Sequence, residues 1–275
     1  MKMKIRAMLL LVALWMFCLP IHGLAKSAPQ SVRSEFPVVL MYHDIKLKEV
    51  NGFDVSVLDF QKQLDWLQAN GYQTLSMDEF IQGLQQGSFP AKSVLITFDD
   101  GYQGAYTYAV PELRQRSMKA AFFIIKDAIG SALPQYPYMT MAEIKKISAD
   151  PLFAIEPHTL SHPDLRQLSG SSLQEELAGA KAYFEIITGK PCDTMAFPYG
   201  YYDEHVLKAV QQAGYKASFA VGDRGFFGAD ARFSIPRVYM GNALGKNDMK
   251  LFKKYVKDYH NMPPAAFAER FGPVQ

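Results

Sequence analysis

The chain has 275 residues, of which 49% are hydrophobic and 20% are charged, a composition that excludes wholesale disorder. A mean hydropathy of −0.08 excludes a protein built from many membrane spans. Lysine and arginine total 29 against 27 acidic residues, and no long basic run occurs, so we expect no nucleic-acid partner. The two cysteines are too few for a disulfide scaffold or a thiolate zinc cluster.

The chain begins with the pattern of an export signal. Three basic residues within the first six precede an apolar run from Ala7 to Ile21, and Gly23-Leu24-Ala25 follows with small residues. This order predicts a secretory signal peptide over residues 1–25, cut after Ala25 or Ala28. The alternative is an uncleaved anchor, although 15 apolar residues are short for a bilayer span, which needs roughly 20.

Cleavage changes the charge and the cysteine content of the chain. Removal of residues 1–25 lowers the basic total from 29 to 26, so the mature net charge becomes −1. Cys18 is also lost, and we predict that Cys192 is a small packing residue. We expect a protein that is secreted or held at the cell envelope, in the periplasm or at the cell surface, with no stable membrane span after cleavage.

The rest of the chain alternates short apolar runs with helical patterns. We predict a flexible leader over residues 26–35, one domain over residues 36–262 and a tail over residues 263–275. Eight runs rich in β-branched and aromatic residues predict strands. They are Val38 to Tyr42, Tyr72 to Leu75, Val94 to Phe98, Ala120 to Ile125, Phe153 to Ile155, Thr194 to Phe197, Lys216 to Val221 and Ile235 to Met240.

Start and stop signals predict the helices between these strands. A helix with Ser56 at its N-cap ends before Gly71, and capping-box pairs at Ser76 with Glu79, Thr140 with Glu143 and Ser172 with Glu175 open three more. The last of these carries a buried stripe through Leu173, Leu177, Ala180, Phe184 and Ile187, and Gly189 stops it. Further helices are predicted from Asp203 to Ala213 and from Asn247 to Tyr259.

Repeated strand–helix–strand units indicate a parallel α/β architecture. Seven or eight such units in about 240 residues favour a closed (β/α) barrel over an open sheet. The short strand near Tyr72 and the irregular stretch from Gly222 to Phe233 indicate that the barrel is imperfect. We therefore predict an irregular (β/α) barrel with about seven parallel strands.

Polar residues follow several predicted strands directly. Tyr42-His43-Asp44 ends the first strand, Asp99-Asp100-Gly101 the third, His158 and His162 follow the strand at Phe153, and Pro198-Tyr199-Gly200 follows the strand at Thr194. Because the carboxyl ends of parallel strands share one rim of a barrel, these groups are expected to converge where barrel enzymes keep their active sites.

Two adjacent carboxylates stand at the end of the third strand. Asp99 and Asp100 would repel each other unless a cation or a hydrogen-bond donor is near. Side chains of adjacent strand residues point to opposite faces, so one carboxylate can bind a metal while the other handles protons. Alone, the pair is more typical of a turn and helix cap than of a catalytic site, since Asp-Gly is a common turn.

His158 and His162 add the nitrogen ligands of a metal site. Their spacing would put both on one helix face, but Pro157 and Pro163 flank them and favour a loop. Two imidazoles and one carboxylate leave coordination positions open, as in catalytic zinc sites and in the facial triad of non-haem iron oxygenases. The second carboxylate favours hydrolysis, because an activated water needs a base beside it.

Three motifs in order resemble the polysaccharide deacetylase family, the fourth family of carbohydrate esterases. They are Thr97-Phe98-Asp99-Asp100-Gly101, Pro157-His158-Thr159-Leu160-Ser161-His162-Pro163 and Phe197-Pro198-Tyr199-Gly200. The resemblance covers roughly residues 37 to 240. It implies a metal-dependent hydrolase on an irregular (β/α) barrel, which removes N-acetyl groups from an extracellular or cell-wall polysaccharide containing N-acetylglucosamine.

The resemblance implies a role for each motif residue. Asp99 matches the catalytic base, Asp100, His158 and His162 match the metal ligands, and Tyr199 matches the residue whose backbone N–H binds the oxyanion. One divalent ion is implied, with zinc favoured and cobalt or nickel as alternatives.

The chain departs from the family pattern at three places. Ala196 stands where members often carry an arginine that orients the base, and we hypothesise that Arg237 reaches the same place. The family's late Asp-and-Trp segment has no clear counterpart around Gly222-Asp223-Arg224, and its late Leu-x-His motif is missing. His260 is the only late histidine, in a stretch that reads as a helix surface.

The first strand resembles one subgroup, the exported deacetylases that act on biofilm poly-N-acetylglucosamine. The carrying residues are Val39-Leu40-Met41-Tyr42-His43-Asp44-Ile45. The resemblance implies a circularly permuted core and an early histidine that protonates the leaving amine, so His43 is the candidate general acid. The alternative is a histidine hydrogen-bonded to Asp44 or to a helix end.

Aromatic residues near the motifs are candidates for sugar binding. Tyr102, Tyr201 and Tyr202 could stack on pyranose rings, although most aromatic residues pack in cores. Two other functions stay open beside the deacetylase, namely a glycan-binding pseudo-enzyme and an O-acetyl esterase acting on a xylan-type polymer. The oligomeric state is not indicated by the sequence.

Overall fold

The computed structural model describes residues 36–222, 231–241 and 249–260. The predicted signal peptide, leader and tail lie outside these residues. The described strands are β1 (Val38–Tyr42), β2 (Asp44–Lys46), β3 (Asp54–Ser56), β4 (Gln73–Thr74), β5 (Ser93–Phe98), β6 (Ala120–Ile124), β7 (Phe153–Pro157), β8 (Thr194–Ala196), β9 (Ala217–Phe219) and β10 (Val238–Tyr239).

The described helices lie between these strands. They are α1 (Val57–Ala69), α2 (Met77–Gln86), α3 (Val110–Gln115), α4 (Met141–Ser148), α5 (Gly170–Gln174), α6 (Ala180–Thr188), α7 (Glu204–Gln212) and α8 (Met249–His260). A π-helical turn, Ala105–Ala109, leads into α3, and another, Glu175–Gly179, joins α5 to α6.

The predicted parallel α/β barrel is confirmed. The main sheet runs in the order β10-β1-β5-β6-β7, with β4 on the far part of β5, and every ladder in it is parallel. β8 pairs with β9 in a second parallel ladder, and a parallel bridge from Phe219 to Ile235 connects β9 to the segment that enters β10. These seven strands, without β4, form the barrel wall.

The barrel is irregular between β7 and β8. In the part of the chain that the structure describes, side chains rather than a backbone ladder join these two strands. Glu156 accepts a hydrogen bond from the Thr194 backbone N–H at 3.1 Å, and Nδ1 of His158 bonds the Ala196 carbonyl at 2.8 Å. β7 is therefore tied to β8 through Glu156 and through His158, the residue that follows β7.

The core has a layer on each side of the barrel wall. Alternate side chains of β1, β5 and β6 pack outward against helices, among them Phe98 and Phe122, whose rings stack at 5.0 Å. The intervening side chains point to the barrel interior, where Phe123 and Phe219 lie 5.3 Å apart. Residues buried on both faces explain why these strands read as continuous apolar runs.

Most predicted helix starts agree with the structure. Ser56 caps α1, and Ser76 and Thr140 form complete capping boxes at α2 and α4. The prediction for Ser172 was wrong, because the helix starts at Gly170 with Ser169 at its N-cap. Ser172 lies in the first turn, where its hydroxyl donates back to the Ser169 carbonyl at 2.8 Å.

Two short strands were not predicted. β2 and β3 pair in parallel immediately after His43 and hold between them the loop of residues 47–53. Their charged residues Asp44 and Asp54 are buried around Lys46, whose Nζ lies 3.4 Å from an oxygen of each carboxylate. Buried charges at strand positions hide the apolar alternation by which strands are recognised.

Candidate active site

The carboxyl ends of the barrel strands surround a cavity of about 380 Å³. The residues that line it come from β1 and β10 and from the segments that follow β1, β2, β5, β7, β8 and β9. The lining includes His43, Phe53, Asp99, Asp100, Tyr102, His158, His162, Tyr199 and Tyr239. The structure therefore brings seven of the ten predicted site residues to one cavity, and an eighth, Arg237, contacts Asp99 from behind it.

Asp99 is held by Arg237 through two parallel hydrogen bonds. Both join a guanidinium nitrogen to a carboxylate oxygen at 2.6 Å, and both side chains are almost wholly buried. Burial alone would raise the pKa of Asp99, but the charge and hydrogen bonds of Arg237 together with the charge of His158 outweigh burial and hold this pKa below its usual value. Asp99 is therefore a carboxylate with a fixed orientation, and each oxygen keeps a second lone pair.

Arg237 is in turn fixed from several sides. Its Nε donates to the Ala220 carbonyl at 3.0 Å, and the guanidinium lies 5.4 Å from the Phe123 ring centroid. The side chain thus closes the upper end of the barrel interior and presents its planar edge to Asp99. The geometry agrees with the sequence hypothesis that Arg237 reaches the base.

Asp99 and Asp100 face the same cavity. On an extended strand adjacent side chains would diverge, but β5 ends at Phe98 and Asp100 has a φ of 70°. Left-handed backbone is uncommon outside glycine and is tolerated by aspartate, and here it turns the second carboxylate back beside the first. The expectation that the two side chains take opposite faces was therefore wrong.

Asp100, His158 and His162 form a compact cluster. Oδ1 of Asp100 lies 3.4 Å from Nε2 of His158 and 3.6 Å from Nε2 of His162, and the three ligand atoms lie within 4.8 Å of one another. Such distances are long for hydrogen bonds. Two ligands about 2.1 Å from a tetrahedral ion lie about 3.4 Å apart, so the spacing fits a shared metal ion.

The orientation of the ligand atoms also fits a metal ion. Nδ1 of His158 donates to the Ala196 carbonyl, so Nε2 is the atom that faces Asp100. Burial would lower the pKa of His158, but the nearby carboxylates of Asp100 and Asp99 outweigh it and raise this pKa. Burial, together with the charge of His158, lowers the pKa of His162 to about 4, so its imidazole is neutral near pH 7. Burial would raise the pKa of Asp100, but the imidazoles outweigh it and keep this group ionised.

The loop between the two histidines is held in a strained shape. As expected from the flanking prolines it is not helical, and Thr159 and His162 both have left-handed φ values of 67° and 62°. Glu176 accepts hydrogen bonds from the Leu160 and Ser161 backbone N–H groups at 2.9 and 3.0 Å. The Thr159 hydroxyl accepts from the His162 N–H at 2.9 Å.

Glu176 and Thr159 are support residues that the sequence analysis missed. The signal for Thr159 was its place inside the histidine motif. Glu176 lies on the π-helical turn, 14 positions beyond His162, where no local pattern connects it to the loop.

His43 lies beside the cluster in an aromatic setting. Its ring centroid is 5.5 Å from that of Phe53 and 5.6 Å from that of Tyr239. Burial lowers its pKa, while the carboxylates of Asp100 and Asp99 act in the opposite direction. Among the described residues its Nδ1 has no hydrogen-bond partner.

The four predicted tyrosines lie in different settings. Tyr102 and Tyr199 line the cavity, and the Tyr199 ring is 4.6 Å from His162. Tyr201 lies 5.7 Å from Tyr199 and beneath the Arg166 guanidinium, and Tyr202 is stacked on Phe197 at 5.1 Å. The latter two are not among the cavity residues.

Three further sequence predictions concern the cysteines, the late motifs and membrane spans. Cys192 is buried and free, as a packing residue would be, and burial raises the pKa of its thiol. Cys18, Asp223 and Arg224 lie outside the described residues, as does the side chain of His260. Within the described ranges no helix is both long and apolar enough to cross a membrane.

Comparison with known proteins gives consistent matches. The family model described as polysaccharide deacetylase matches residues 86–218. YxkH of Bacillus subtilis, which is named for the same family, is 35% identical over 189 residues, covering 67% of this chain and 65% of its own length. A Staphylococcus aureus protein named poly-β-1,6-N-acetyl-D-glucosamine N-deacetylase is 24% identical and covers 87% of this chain and 94% of itself.

Solved structures match as well. A polysaccharide deacetylase from Bacillus cereus is 25% identical with a TM-score of 0.68, over 80% of this chain and 68% of that one. The Streptococcus pyogenes deacetylase PplD, solved in complex with acetate, is also 25% identical with a TM-score of 0.68, over 86% and 98%. IcaB from Ammonifex degensii shares the fold at 21% identity and a TM-score of 0.67, over 82% and 97%.

Proposed function

Because the chain belongs to the polysaccharide deacetylase family of hydrolases, we propose that it removes N-acetyl groups from an N-acetylglucosamine polymer outside the cytoplasm. The observation that carries the proposal is one cavity that holds Asp99 beside Asp100, His158 and His162. The similarity to the staphylococcal protein, over 87% of this chain, supports a β-1,6-linked substrate. The predicted signal peptide supports export.

Asp100, His158 and His162 are the proposed ligands of one divalent ion, with zinc favoured over cobalt and nickel. Three protein ligands with nitrogen and oxygen donors leave positions open for water and substrate. When bound there, such an ion acidifies a water and polarises a carbonyl oxygen.

The chain's own residues divide the proton transfers between them. Asp99 accepts a proton from the attacking water, in the orientation that Arg237 fixes. The backbone N–H of Tyr199 donates to the carbonyl oxygen as it becomes an oxyanion. His43 gives a proton to the leaving nitrogen, so the water loses one proton, the amine gains one, and solvent restores both groups.

The proposed base is tested by replacing Asp99 with asparagine. Asp99→Asn keeps the shape and the partner Arg237 but cannot accept the proton, so kcat is expected to fall by at least about 100-fold. Acetate release is measured on β-1,6-poly-N-acetylglucosamine, chitin oligomers, peptidoglycan and acetylxylan, with bound metal determined for each sample.

The control variant is Asp65→Asn, an exposed carboxylate of α1 paired with Arg116. It is expected to leave kcat unchanged. Activity of Asp99→Asn within a few-fold of the wild type contradicts the assignment of the base. No acetate from any polymer with metal bound indicates a glycan-binding pseudo-enzyme, and release from acetylxylan alone indicates an O-acetyl esterase.

A further inference from the structure

An exposed phenylalanine stands at the wall of the catalytic cavity. Phe53 belongs to the loop between β2 and β3, lines the same cavity as Asp99 and Asp100, and remains 51% exposed. Its ring centroid is 5.5 Å from His43. Because burying a large apolar side chain is thermodynamically favourable, a half-exposed ring at this position is a surface on which a ligand can pack.

The backbone around Phe53 is fixed rather than loose. Asp54 accepts hydrogen bonds from the Val50 and Asn51 backbone N–H groups at 2.7 and 3.1 Å, and the Asn51 side chain accepts from the Phe53 N–H at 2.7 Å. The Tyr239 hydroxyl donates to the Gly52 carbonyl at 2.7 Å. The exposure of the ring is therefore set by folding, and binding does not need to order the loop.

A second exposed ring lies by another member of the site. Tyr199 is 57% exposed, lines the same cavity and lies 4.6 Å from His162. Its φ of 59° holds the backbone in a left-handed turn, so its direction too is set by the fold. Two fixed rings thus present their surfaces beside the residues that would act on one acetyl group.

We propose that Phe53 is a specificity-determining residue, a platform on which the sugar adjoining the acetylated unit stacks. The inference rests on the proposed function. The apolar face of a pyranose ring packs on an aromatic ring, and phenylalanine offers only that surface, with no hydrogen bond to select a hydroxyl. The cavity then favours polymer segments of two or more sugars over single units and small acyl esters.

The test compares substrates that do and do not reach the platform. Kinetics are measured on N-acetylglucosamine oligomers of two to six units and on 4-nitrophenyl acetate, for wild type, Phe53→Ala, Phe53→Leu and Phe53→Trp. Phe53→Ala and Phe53→Leu are expected to raise KM for the oligomers about five- to tenfold, with kcat within about twofold. Phe53→Trp keeps the wild-type KM, and kcat/KM for 4-nitrophenyl acetate is unchanged in all.

A matched control removes an exposed apolar side chain elsewhere. Leu58 on α1 is 60% exposed and is not a cavity residue, so Leu58→Ala is expected to leave every constant unchanged. Unaltered oligomer kinetics in Phe53→Ala and Phe53→Leu overturn the inference. An equal loss on oligomers and 4-nitrophenyl acetate also overturns it, because it assigns the ring a purely structural role.

Failure of the proposed function is distinguishable from failure of this inference. If the wild type releases no acetate, binding of the oligomers to the Asp99→Asn chain is measured by calorimetry with and without Phe53→Ala. Weaker binding without the ring then supports the platform although the chain is not a deacetylase. Equal binding overturns it.

Discussion

At the upper end of the barrel a carboxylate and a guanidinium, both nearly inaccessible to water, hold each other through two bonds of 2.6 Å. Removing two charges from water costs several kcal/mol per ion, and only near-ideal geometry with further hydrogen bonds offsets that desolvation penalty. The bonds from Arg237 to Ala220 and to Thr97 supply those further contacts. The pair therefore fixes the direction of the proposed base more than it adds stability.

Replacing Asp99 or Arg237 alone is expected to destabilise the folded protein more, per residue replaced, than replacing both. Arg237→Met leaves Asp99 charged and buried, which costs about 3–5 kcal/mol of unfolding free energy. In the double variant Asp99→Asn, Arg237→Met the cost is expected to be smaller than the sum of the two single costs. Urea unfolding of the four chains measures the coupling.

The contrary result is additivity. If the two single changes sum to the double change within about 0.5 kcal/mol, Asp99 and Arg237 do not act as a unit in the folded protein. Arg237→Lys serves as the conservative comparison, because it keeps the charge but loses the two parallel bonds.

At the level of elements, β2 and β3 form a small charged support beneath the loop that carries Phe53. Asp44 and Asp54 are buried on either side of Lys46, which also donates to the Gln135 carbonyl at 3.0 Å. Lys46 further lies 3.7 Å from the Tyr136 ring centroid. One lysine thus links the two strands to the neighbouring loop of residues 131–137.

This support predicts a pH dependence of stability. Burial raises the pKa of Asp44 from 3.8 to about 6. The charge of Asp54 also raises this pKa, and the charge of Lys46 lowers it. Tyr138 faces Asp44 as well. Because the pKa of Asp44 is higher in the folded state, its stabilising contribution to the free energy of unfolding is present below pH 4 and is lost as the pH rises toward 6. Relative to Asp44→Asn, the wild type is expected to lose about 2 kcal/mol between pH 4 and pH 7.

The measurement is urea unfolding at several pH values. Asp65→Asn, an exposed carboxylate, serves as the control and is expected to parallel the wild type. A constant difference between wild type and Asp44→Asn from pH 4 to pH 7 contradicts the raised pKa.

Elements with strong local signals could be predicted from the sequence. β1 agrees at both ends, and the capping boxes at Ser76 and Thr140 start their helices where expected, because these signals act within four residues. The predicted start at Ser172 was wrong because the helix begins three residues earlier, with Ser169 at the N-cap position, and the sequence pattern did not distinguish between the two serines.

Features set by tertiary contacts could not be predicted in this way. The left-handed turn at Asp100, the Glu176 brace and the exposed ring of Phe53 depend on segments far apart in the chain. The convergence of the motif residues could be expected, since the carboxyl ends of parallel strands lie on one rim of a barrel. The distances between these residues and their protonation states could not be predicted from the sequence.

On the scale of the whole molecule, the irregular wall of the barrel is part of the site. β7 and β8 are joined through Glu156 and His158, so the bond that closes this part of the wall also sets the tautomer of a proposed metal ligand. Asp100 comes from the other side, after β5. Metal binding is therefore expected to cross-link the ends of β5 and β7, which β6 separates in the main sheet.

Metal stoichiometry tests this directly. The purified chain is loaded with zinc, dialysed and analysed by mass spectrometry, alongside Asp100→Ala, His158→Ala, His162→Ala and the surface control His205→Ala. One ion per chain is expected in the wild type and the control, with affinity lowered at least about tenfold in the three ligand variants. A wild-type chain that retains no ion, or ligand variants that bind it as tightly as the control, would contradict a metal centre at Asp100, His158 and His162.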